Sequence, residues 1–234
     1  MLFELPAHSG VLFVKPSVST TGERSPQDAA VIVAHPDDET LWAGGTILSH
    51  PAWNWHIVTL CRASDPDRAP KFFRLLSDLR ATGRMGDLDD GPGQAPLREA
   101  DVQQAIMKLL PARQFDLVIS HSPTGEYTRH LRHEEVGRAV ITLWDTGRLL
   151  ARELWLFAYE DGGKRYDPRP IERASVYTVL PESIWQVKYR MITETYGFPP
   201  DGFEARTTPR AEAFWRFTAP SDARSWLDQG GGRT

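Results

Sequence analysis

The chain has 234 residues, 41% of them hydrophobic and 25% charged, which is the composition of a globular protein with a substantial core. Its net charge of −4 gives no basic excess for binding nucleic acid or an anionic membrane surface. One cysteine, Cys61, excludes an intrachain disulfide, and no apolar stretch approaches the roughly 18 residues of a membrane span. No secretory signal pattern opens the sequence, so we expect a cytoplasmic protein without membrane insertion.

The first third of the chain alternates irregular, strand and helix patterns. Residues 1–28 form an irregular extension apart from an apolar patch at 11–14. Residues 31–34, VIVA, predict a strand buried on both faces, and 55–61 predict a second strand. The helix predicted between them, over 40–49, contains a pair of glycines that cost about 1 kcal/mol each relative to alanine. We therefore expect that helix to approach a neighbouring element closely.

The same alternation continues to residue 196. Helices are predicted over 71–82, 97–110, 133–149 and 181–196, with a turn-rich loop over 85–96. Further strands are predicted over 115–120, 153–160 and 175–180. This order predicts the α/β class, as a Rossmann-like three-layer sandwich with a mainly parallel central sheet. We expect a single domain over 1–234, with a tail over 197–234 that wraps the domain and ends in disorder.

Polar side chains with metal-binding chemistry follow the first and third predicted strands. The two clusters are His35, Asp37 and Asp38 after the first strand and His121, His130 and His133 after the third. Ligands of open α/β sheets bind beyond the carboxyl ends of the strands, so the clusters meet if these strands are neighbours. Imidazoles and carboxylates together suit zinc, and two histidines with one carboxylate also suit iron(II).

A catalytic zinc site takes three protein ligands and leaves one position for water. His35 and Asp38 can supply two ligands from one turn, and a histidine of the second cluster can supply the third. Asp37 is then left beside the metal-bound water, where a general base is needed. Of His130 and His133, one can bind the metal while the other contacts substrate. An isolated Asp-Asp-Glu would indicate a helix N-cap, and a lone histidine such as His121 a satisfied loop residue.

The stretches AHPDDETLWAGGTI (34–47) and GEYTRHLRHEEVG (125–137) resemble the PIG-L/LmbE family of zinc-dependent N-acetylglucosamine deacetylases. The resemblance covers roughly residues 30–195 and implies removal of an acetyl group from a small, sugar-like substrate. It implies that His35, Asp38 and His133 bind zinc and that Asp37 is the general base. It also implies that protonated His130 stabilises the oxyanion. A homo-oligomer is compatible with the resemblance.

The chain departs from the family pattern near the expected site. Leu131-Arg132 stands where Pro-Asp is common, and no histidine follows Lys188 in the late segment WQVKYRMITETYG. A loop reading CRASDPD follows the second strand, where the family commonly has Thr-Gly-Glu, so substrate choice is expected to be unusual.

Three other functions stay open from the sequence. They are a zinc amidase acting on a non-sugar amide, a catalytically silent metal-bound binding module, and a Rossmann-type nucleotide binder. No G-x-G-x-x-G follows VIVA, which disfavours the nucleotide binder. Arg68, Arg98 and Trp42 are candidates for substrate contacts.

Overall fold

The computed structural model describes residues 27–93 and 95–231. Its strands are β1 (Asp28–Val33), β2 (Asn54–Thr59), β3 (Thr82–Met85), β4 (Phe115–Ser120), β5 (Ala151–Phe157), β6 (Tyr159–Glu160), β7 (Arg169–Pro170), β8 (Val176–Val179) and β9 (Ala211–Phe217). Its α-helices are α1 (Asp38–Ser49), α2 (Arg68–Leu79), α3 (Glu99–Leu109), α4 (Leu131–Asp145), α5 (Glu182–Arg190), α6 (Phe203–Thr207) and α7 (Pro220–Asp228). A π-helical turn, Met191–Thr195, continues α5.

Seven strands form one sheet in the order β3-β2-β1-β4-β5-β9-β8. The five strands from β3 to β5 pair in parallel, whereas β9 pairs antiparallel with both β5 and β8. The predicted α/β class with a mainly parallel sheet is therefore confirmed. The strand order reverses between β1 and β4, which is the position where open α/β sheets bind their ligands.

Helices cover both faces of this sheet. Alternate residues of β1 belong to two separate cores, with Ala30 and Ile32 on one face and Val31 and Val33 on the other. Helices α3, α4 and α7 pack on the first core, and α1, α2 and the π-helical turn pack on the second. The apolar run VIVA is thus buried on both faces because helices lie above and below it, as predicted for a parallel strand.

One smaller expectation is also met. A Cβ atom on Gly45 would lie 2.4 Å from Cδ2 of Leu180, so α1 makes the close approach that its paired glycines predict. Cys61 is a fully buried core thiol, and burial raises its pKa to about 12. No helix among the described residues is long and apolar enough to cross a membrane.

Beyond shifts of a few residues at most element ends, three predicted elements differ from the structure. The predicted strand 153–160 is two strands, β5 and β6, and the predicted helix 181–196 changes from α-helix to π-helix at Met191. Strand β3 begins within the predicted helix 71–82, because α2 ends at Leu79 and Arg80 takes a left-handed conformation with φ 53°.

The segment from residue 197 is more regular than expected. It contains α6, β9 and α7, and β9 lies between β5 and β8 inside the main sheet. The prolines, glycines and arginines of this segment suggested an irregular wrap, and the buried Glu212 interrupts the apolar pattern of β9. The predicted extension up to residue 26, its apolar patch at 11–14 and the final residues 232–234 lie outside the described residues.

Candidate metal centre

The turn between β1 and α1 presents the first cluster at the carboxyl edge of the sheet. The backbone N–H of His35 donates to Oδ2 of Asp38 at 2.9 Å, and the N–H of Asp38 donates back to the His35 carbonyl at 3.3 Å. Strand β4 is the parallel neighbour of β1, so the loop that follows it reaches the same edge. The adjacency on which the metal hypothesis depends is therefore present.

Three ligand atoms from the two clusters converge at this edge. Nδ1 of His35 lies 3.1 Å from Oδ2 of Asp38 and 3.2 Å from Nε2 of His133, and the last two atoms lie 3.3 Å apart. Ligand atoms bound tetrahedrally to zinc at 2.0–2.1 Å would stand about 3.3 Å from one another. Two imidazole nitrogens and one carboxylate oxygen also match the chemistry of a zinc donor set, so the residues present fit the metal.

Neighbouring side chains orient each of these groups. Nδ1 of His133 contacts Oε2 of the buried Glu126 at 2.6 Å, which directs its Nε2 lone pair toward the other two ligand atoms. The indole N–H of Trp42 donates to Oδ1 of Asp38 at 3.1 Å. Nε2 of His35 lies 3.2 Å from Oδ1 of Asp90, within ion-pair distance but without hydrogen-bond geometry. A carboxylate bonded to the ring, as Glu126 is to His133, fixes the tautomer and the ring orientation of a metal-binding histidine.

His121 belongs to a second, overlapping set of possible ligands with Asp38 and His133. Its Nε2 accepts the backbone N–H of Ala34 at 2.9 Å, and its Nδ1 contacts Oε2 of Glu126 at 3.0 Å. Both ring nitrogens are thus engaged, because one receives a hydrogen bond and the other donates one. His121 is a satisfied buried histidine that ties Glu126 to the end of β1, as its lone position in the sequence suggested.

Asp37 lies beside the ligand atoms in an unusual backbone conformation. Its φ is 121°, in a region that residues other than glycine rarely adopt, and such outliers gather at functional sites. Its Oδ2 accepts a hydrogen bond from Nη1 of Arg68 at 2.9 Å. Burial and the charge of Asp38 raise the pKa of Asp37 well above its usual range, although Arg68 opposes the rise. A carboxyl group with a raised pKa is suited to accept a proton near neutral pH.

His130 lies at the N-cap of α4 and faces the same cleft. Its ring stacks on His133 at 4.3 Å and meets His35 edge-on at 4.6 Å. Burial and the charges of His133 and His35 lower the pKa of His130 to about 3. The protonated form of His130 that the resemblance implies stays a prediction. Its buried Nδ1 has no hydrogen-bond partner among the described residues. His35, His130 and His133 also form a possible ligand set.

A cleft of about 350 Å³ opens beside these groups. Its lining includes the aromatic rings of Tyr127 and Phe203 and the charged side chains of Arg62, Arg68 and Glu204. Of the candidate substrate contacts, Arg68 lines the cleft. Trp42 also lines it, but is fully buried and bonded to Asp38. Arg98 instead forms an exposed ion pair with Asp101 away from the cleft.

Arg132 explains one departure from the family pattern. It is almost fully buried, and its guanidinium donates to the carbonyls of Asp89 and Ala95 and to Oε2 of Glu135. It therefore anchors the loop that carries Asp90 to His35.

The sequence offered no signal for Asp90, which stands among several aspartates in GDLDDG, whereas Glu126 belongs to the motif GEYT and was open to detection.

Comparison with known sequences gives a distant relative. No family model matches the chain. The uncharacterized protein L374 of Acanthamoeba polyphaga mimivirus is 20% identical in a 152-position alignment that covers 59% of this chain and 65% of that relative. The match thus spans less than two thirds of the curated relative.

Solved structures extend the comparison at the level of the fold. N,N′-diacetylchitobiose deacetylase from Pyrococcus horikoshii aligns with a TM-score of 0.60 and 17% identity, covering 82% of this chain and 84% of that one. The pseudoaglycone deacetylase Dbv21 aligns with a TM-score of 0.58 and 13% identity, covering 82% and 98%. The chain therefore has the PIG-L/LmbE fold, with a candidate His/Asp metal site.

The same fold also serves another reaction. GalB, the 4-carboxy-2-hydroxymuconate hydratase from Pseudomonas putida KT2440, aligns with a TM-score of 0.50 and 15% identity over 89% of this chain and 92% of that one. The fold alone does not define the reaction, so the function has to be argued from the site.

Proposed function

We propose that this chain is a zinc-dependent N-deacetylase that releases acetate from a small N-acetylated, sugar-like molecule. One observation carries the proposal: the ligand atoms of His35, Asp38 and His133 converge within 3.1–3.3 Å beside Asp37, in an open cleft. A purely structural zinc site closes its fourth position with another protein ligand. A carboxylate that is not itself a ligand, placed beside three ligands, favours a hydrolase.

The bound metal would lower the pKa of a water molecule to about 7 and polarise the acetamide carbonyl. Arg68 binds Oδ2 of Asp37, so Oδ1 is the oxygen that takes a proton from the attacking water. Asp37 then delivers this proton to the leaving nitrogen, and the amine departs. His130 donates a ring N–H to the oxyanion that forms on the carbonyl oxygen.

The lining of the cleft supports a sugar-like substrate. The rings of Tyr127 and Phe203 lie 5.4 Å apart in an edge-to-face arrangement and supply apolar surface for the ring carbons of a sugar. Arg62, Asp65 and Glu204 line the same cleft and supply hydrogen-bonding partners for hydroxyl groups. This combination of apolar surface and a few convergent polar groups is usual in small-molecule sites.

The test combines metal analysis with amine release. The purified protein is stripped with a chelator and reloaded with Zn²⁺ or Fe²⁺, and amine release is measured from N-acetylglucosamine, N,N′-diacetylchitobiose and N-acetyl-lysine. We expect one metal ion per chain and amine release from an acetylated sugar only when metal is bound. His133→Ala should lose the metal, whereas the control His56→Ala, which removes a histidine of β2 outside the cluster, should keep it.

Each part of the proposal has its own contrary result. Retention of one metal ion per chain in His133→Ala would show that the ligand set is different. Release of amine from N-acetyl-lysine alone would replace the sugar-like substrate by a non-sugar amide. If the metal-loaded protein released amine from none of the three compounds, the deacetylase assignment would be wrong.

A further inference from the structure

A buried chain of hydrogen bonds connects the turn before α1 with the residue that follows the π-helical turn. The hydroxyl of Tyr196 donates to Oε1 of Glu39 at 2.7 Å, and Oε2 of Glu39 accepts the backbone N–H of Asp37 at 3.1 Å. The hydroxyl of Thr40 adds a bond to Oε1 at 2.7 Å. Glu39 is fully buried and Tyr196 is 2% exposed, so water does not compete for these bonds.

This chain ends on the strained backbone of Asp37. A non-glycine residue in a sparsely populated conformation costs of order 1–3 kcal/mol and persists only where its surroundings over-determine it. The Asp37 carbonyl accepts the N–H groups of Thr40 and Leu41 from the first turn of α1, at 3.0 and 2.8 Å. Its N–H bonds to Glu39. Both sides of the residue are therefore held, and the direction of its side chain follows from them.

The π-helical turn brings Tyr196 to Glu39. The backbone N–H of Tyr196 donates to the Met191 carbonyl at 2.9 Å, an i→i+5 bond that replaces the i→i+4 bonding of α5. One extra residue is accommodated in this turn, which changes the direction in which the next side chain points. Single π-helical turns of this kind are frequent at functional sites.

We propose that Glu39 and Tyr196 are positioning residues for Asp37, with Tyr196 acting through the Glu39 carboxylate. The inference rests on the proposed function, in which Asp37 is the general base. The hydrogen bonds of Glu39 and Tyr196 alone are compatible with two roles, stabilising the fold and positioning Asp37. A tie that only joins α1 to the π-helical turn affects stability, whereas a positioning tie also affects the orientation of Asp37 and hence kcat.

The first experiment needs no enzymatic activity. Amide hydrogen exchange of Asp37 is measured by NMR in the metal-free and the zinc-loaded protein. Tyr196→Phe removes one hydroxyl and loosens Glu39, so we expect exchange of the Asp37 amide to accelerate about 10-fold or more. Glu39→Gln should have a larger effect, because one amide oxygen cannot accept from Tyr196, Thr40 and Asp37 together.

A matched control separates positioning from loss of stability. Tyr159 is also buried, and its hydroxyl donates to the Trp42 carbonyl of the same helix α1 at 2.9 Å. Tyr159→Phe therefore removes a buried hydrogen bond of similar length that does not involve Glu39. We expect it to lower the midpoint of urea unfolding about as much as Tyr196→Phe, without changing exchange at Asp37.

The second experiment uses the substrate found in the metal and amine assay. Because misplacement of a reacting group by about 1 Å can cost roughly 100-fold, we expect Tyr196→Phe to lower kcat about 10-fold with KM and zinc affinity within twofold of wild type. The double variant Tyr196→Phe/Glu39→Gln should lose no more activity than Glu39→Gln alone, since the two residues act as one unit.

The outcomes are distinguishable. Unchanged exchange at Asp37 in both Tyr196→Phe and Glu39→Gln, or a kcat for Tyr196→Phe equal to that of Tyr159→Phe, would overturn the positioning role. Absence of activity in the wild type would remove the proposed function, while faster exchange at Asp37 would still establish the tie.

Discussion

Two buried groups of charged side chains lie against helix α1, and their charges are compensated in different ways. Along its middle, the Glu212 carboxylate accepts bonds at 2.7 Å from Nζ of Lys188, the backbone N–H of Gly45, and the N–H and hydroxyl of Thr46. At its start, Asp38 faces the nitrogens of His35 and His133 at 3.1 and 3.3 Å.

The difference lies in the supply of hydrogen-bond donors and of positive charge. Glu212 has a cation and three further donors, so this group is complete without any ligand. Near Asp38 the histidine rings turn their other nitrogens to Glu126 and Asp90, and three lone-pair-bearing atoms are left facing one another. A complete group is explained by packing, whereas three convergent ligand atoms form a candidate site for a cation. We therefore infer a structural role for the group at the middle of α1 and a chemical role for the group at its start.

The largest expected effect comes from a substitution at the start of α1 that removes the general base and leaves the metal in place. Asp37→Asn cannot accept the proton of the attacking water, and we expect kcat to fall by about 10²–10⁴-fold while one zinc ion per chain is retained. The measurement is amine release alongside metal analysis, with Asp67→Asn, which changes an exposed ion pair with Lys71, as the control. Full turnover in Asp37→Asn would mean that this residue serves only as a helix cap.

The next effect concerns the group around Glu212, in which a substitution removes the cation. Lys188→Met leaves the Glu212 carboxylate buried without its cation, and breaking a buried pair of this kind typically costs about 3–5 kcal/mol. We expect urea denaturation to show this loss in the free energy of unfolding, with an unchanged zinc content in the folded protein. A free energy of unfolding within about 1 kcal/mol of wild type would show that Glu212 does not need Lys188.

A third prediction distinguishes His130, as an oxyanion donor, from His133, as a metal ligand. Removal of one oxyanion donor typically costs roughly 10²–10³-fold in kcat, and we expect this loss for His130→Ala with zinc affinity nearly unchanged. His130 also forms a possible ligand set with His35 and His133. An equal loss of bound zinc in His130→Ala would make His130 a ligand.

The sheet and the polar cluster at its carboxyl edge could be predicted from the sequence. The VIVA strand and the spacing of the two histidine-containing clusters predicted a parallel sheet with polar side chains meeting at its carboxyl edge, because strand and helix patterns are local properties of the chain. The paired glycines of α1 predicted a close contact, and Gly45 lies against Leu180. What these patterns could not give was the partner of each buried group, since partners come from distant segments.

Glu212 and Tyr196 show why the remainder was hidden. Glu212 lies 166 residues from Thr46, in a tail whose composition suggested an irregular wrap, and nothing local marks a charged strand residue as buried. Tyr196 reaches Glu39 only because the helix before it changes to π-helical geometry, which sequence periodicity does not reveal. Asp90 likewise depends on the anchoring of its loop by Arg132.

The smallest expected effect concerns the carboxylate that orients the ligands. Oε2 of Glu126 contacts Nδ1 of both His133 and His121, and Oε1 accepts the N–H of Ser122 at 3.1 Å. In Glu126→Gln one of these donors must face an amide NH₂ group, so the His133 ring is held less firmly. Loss of such an orienting partner typically weakens metal affinity by about 10–100-fold.

Zinc affinity of Glu126→Gln is measured by competition with a chelating dye, and kcat is measured at saturating zinc. We expect weaker binding with a much smaller change in kcat, because the amide changes the orientation of a ligand and leaves Asp37 and His130 in place. Glu99→Gln, on the exposed first turn of α3, is the control. An affinity within twofold of wild type would show that stacking on His121 and His130, at 3.9 and 4.3 Å, is enough to orient His133. In that case the group near Asp38 would owe its geometry to packing, as the group around Glu212 does, and only its unmatched lone pairs would distinguish the two.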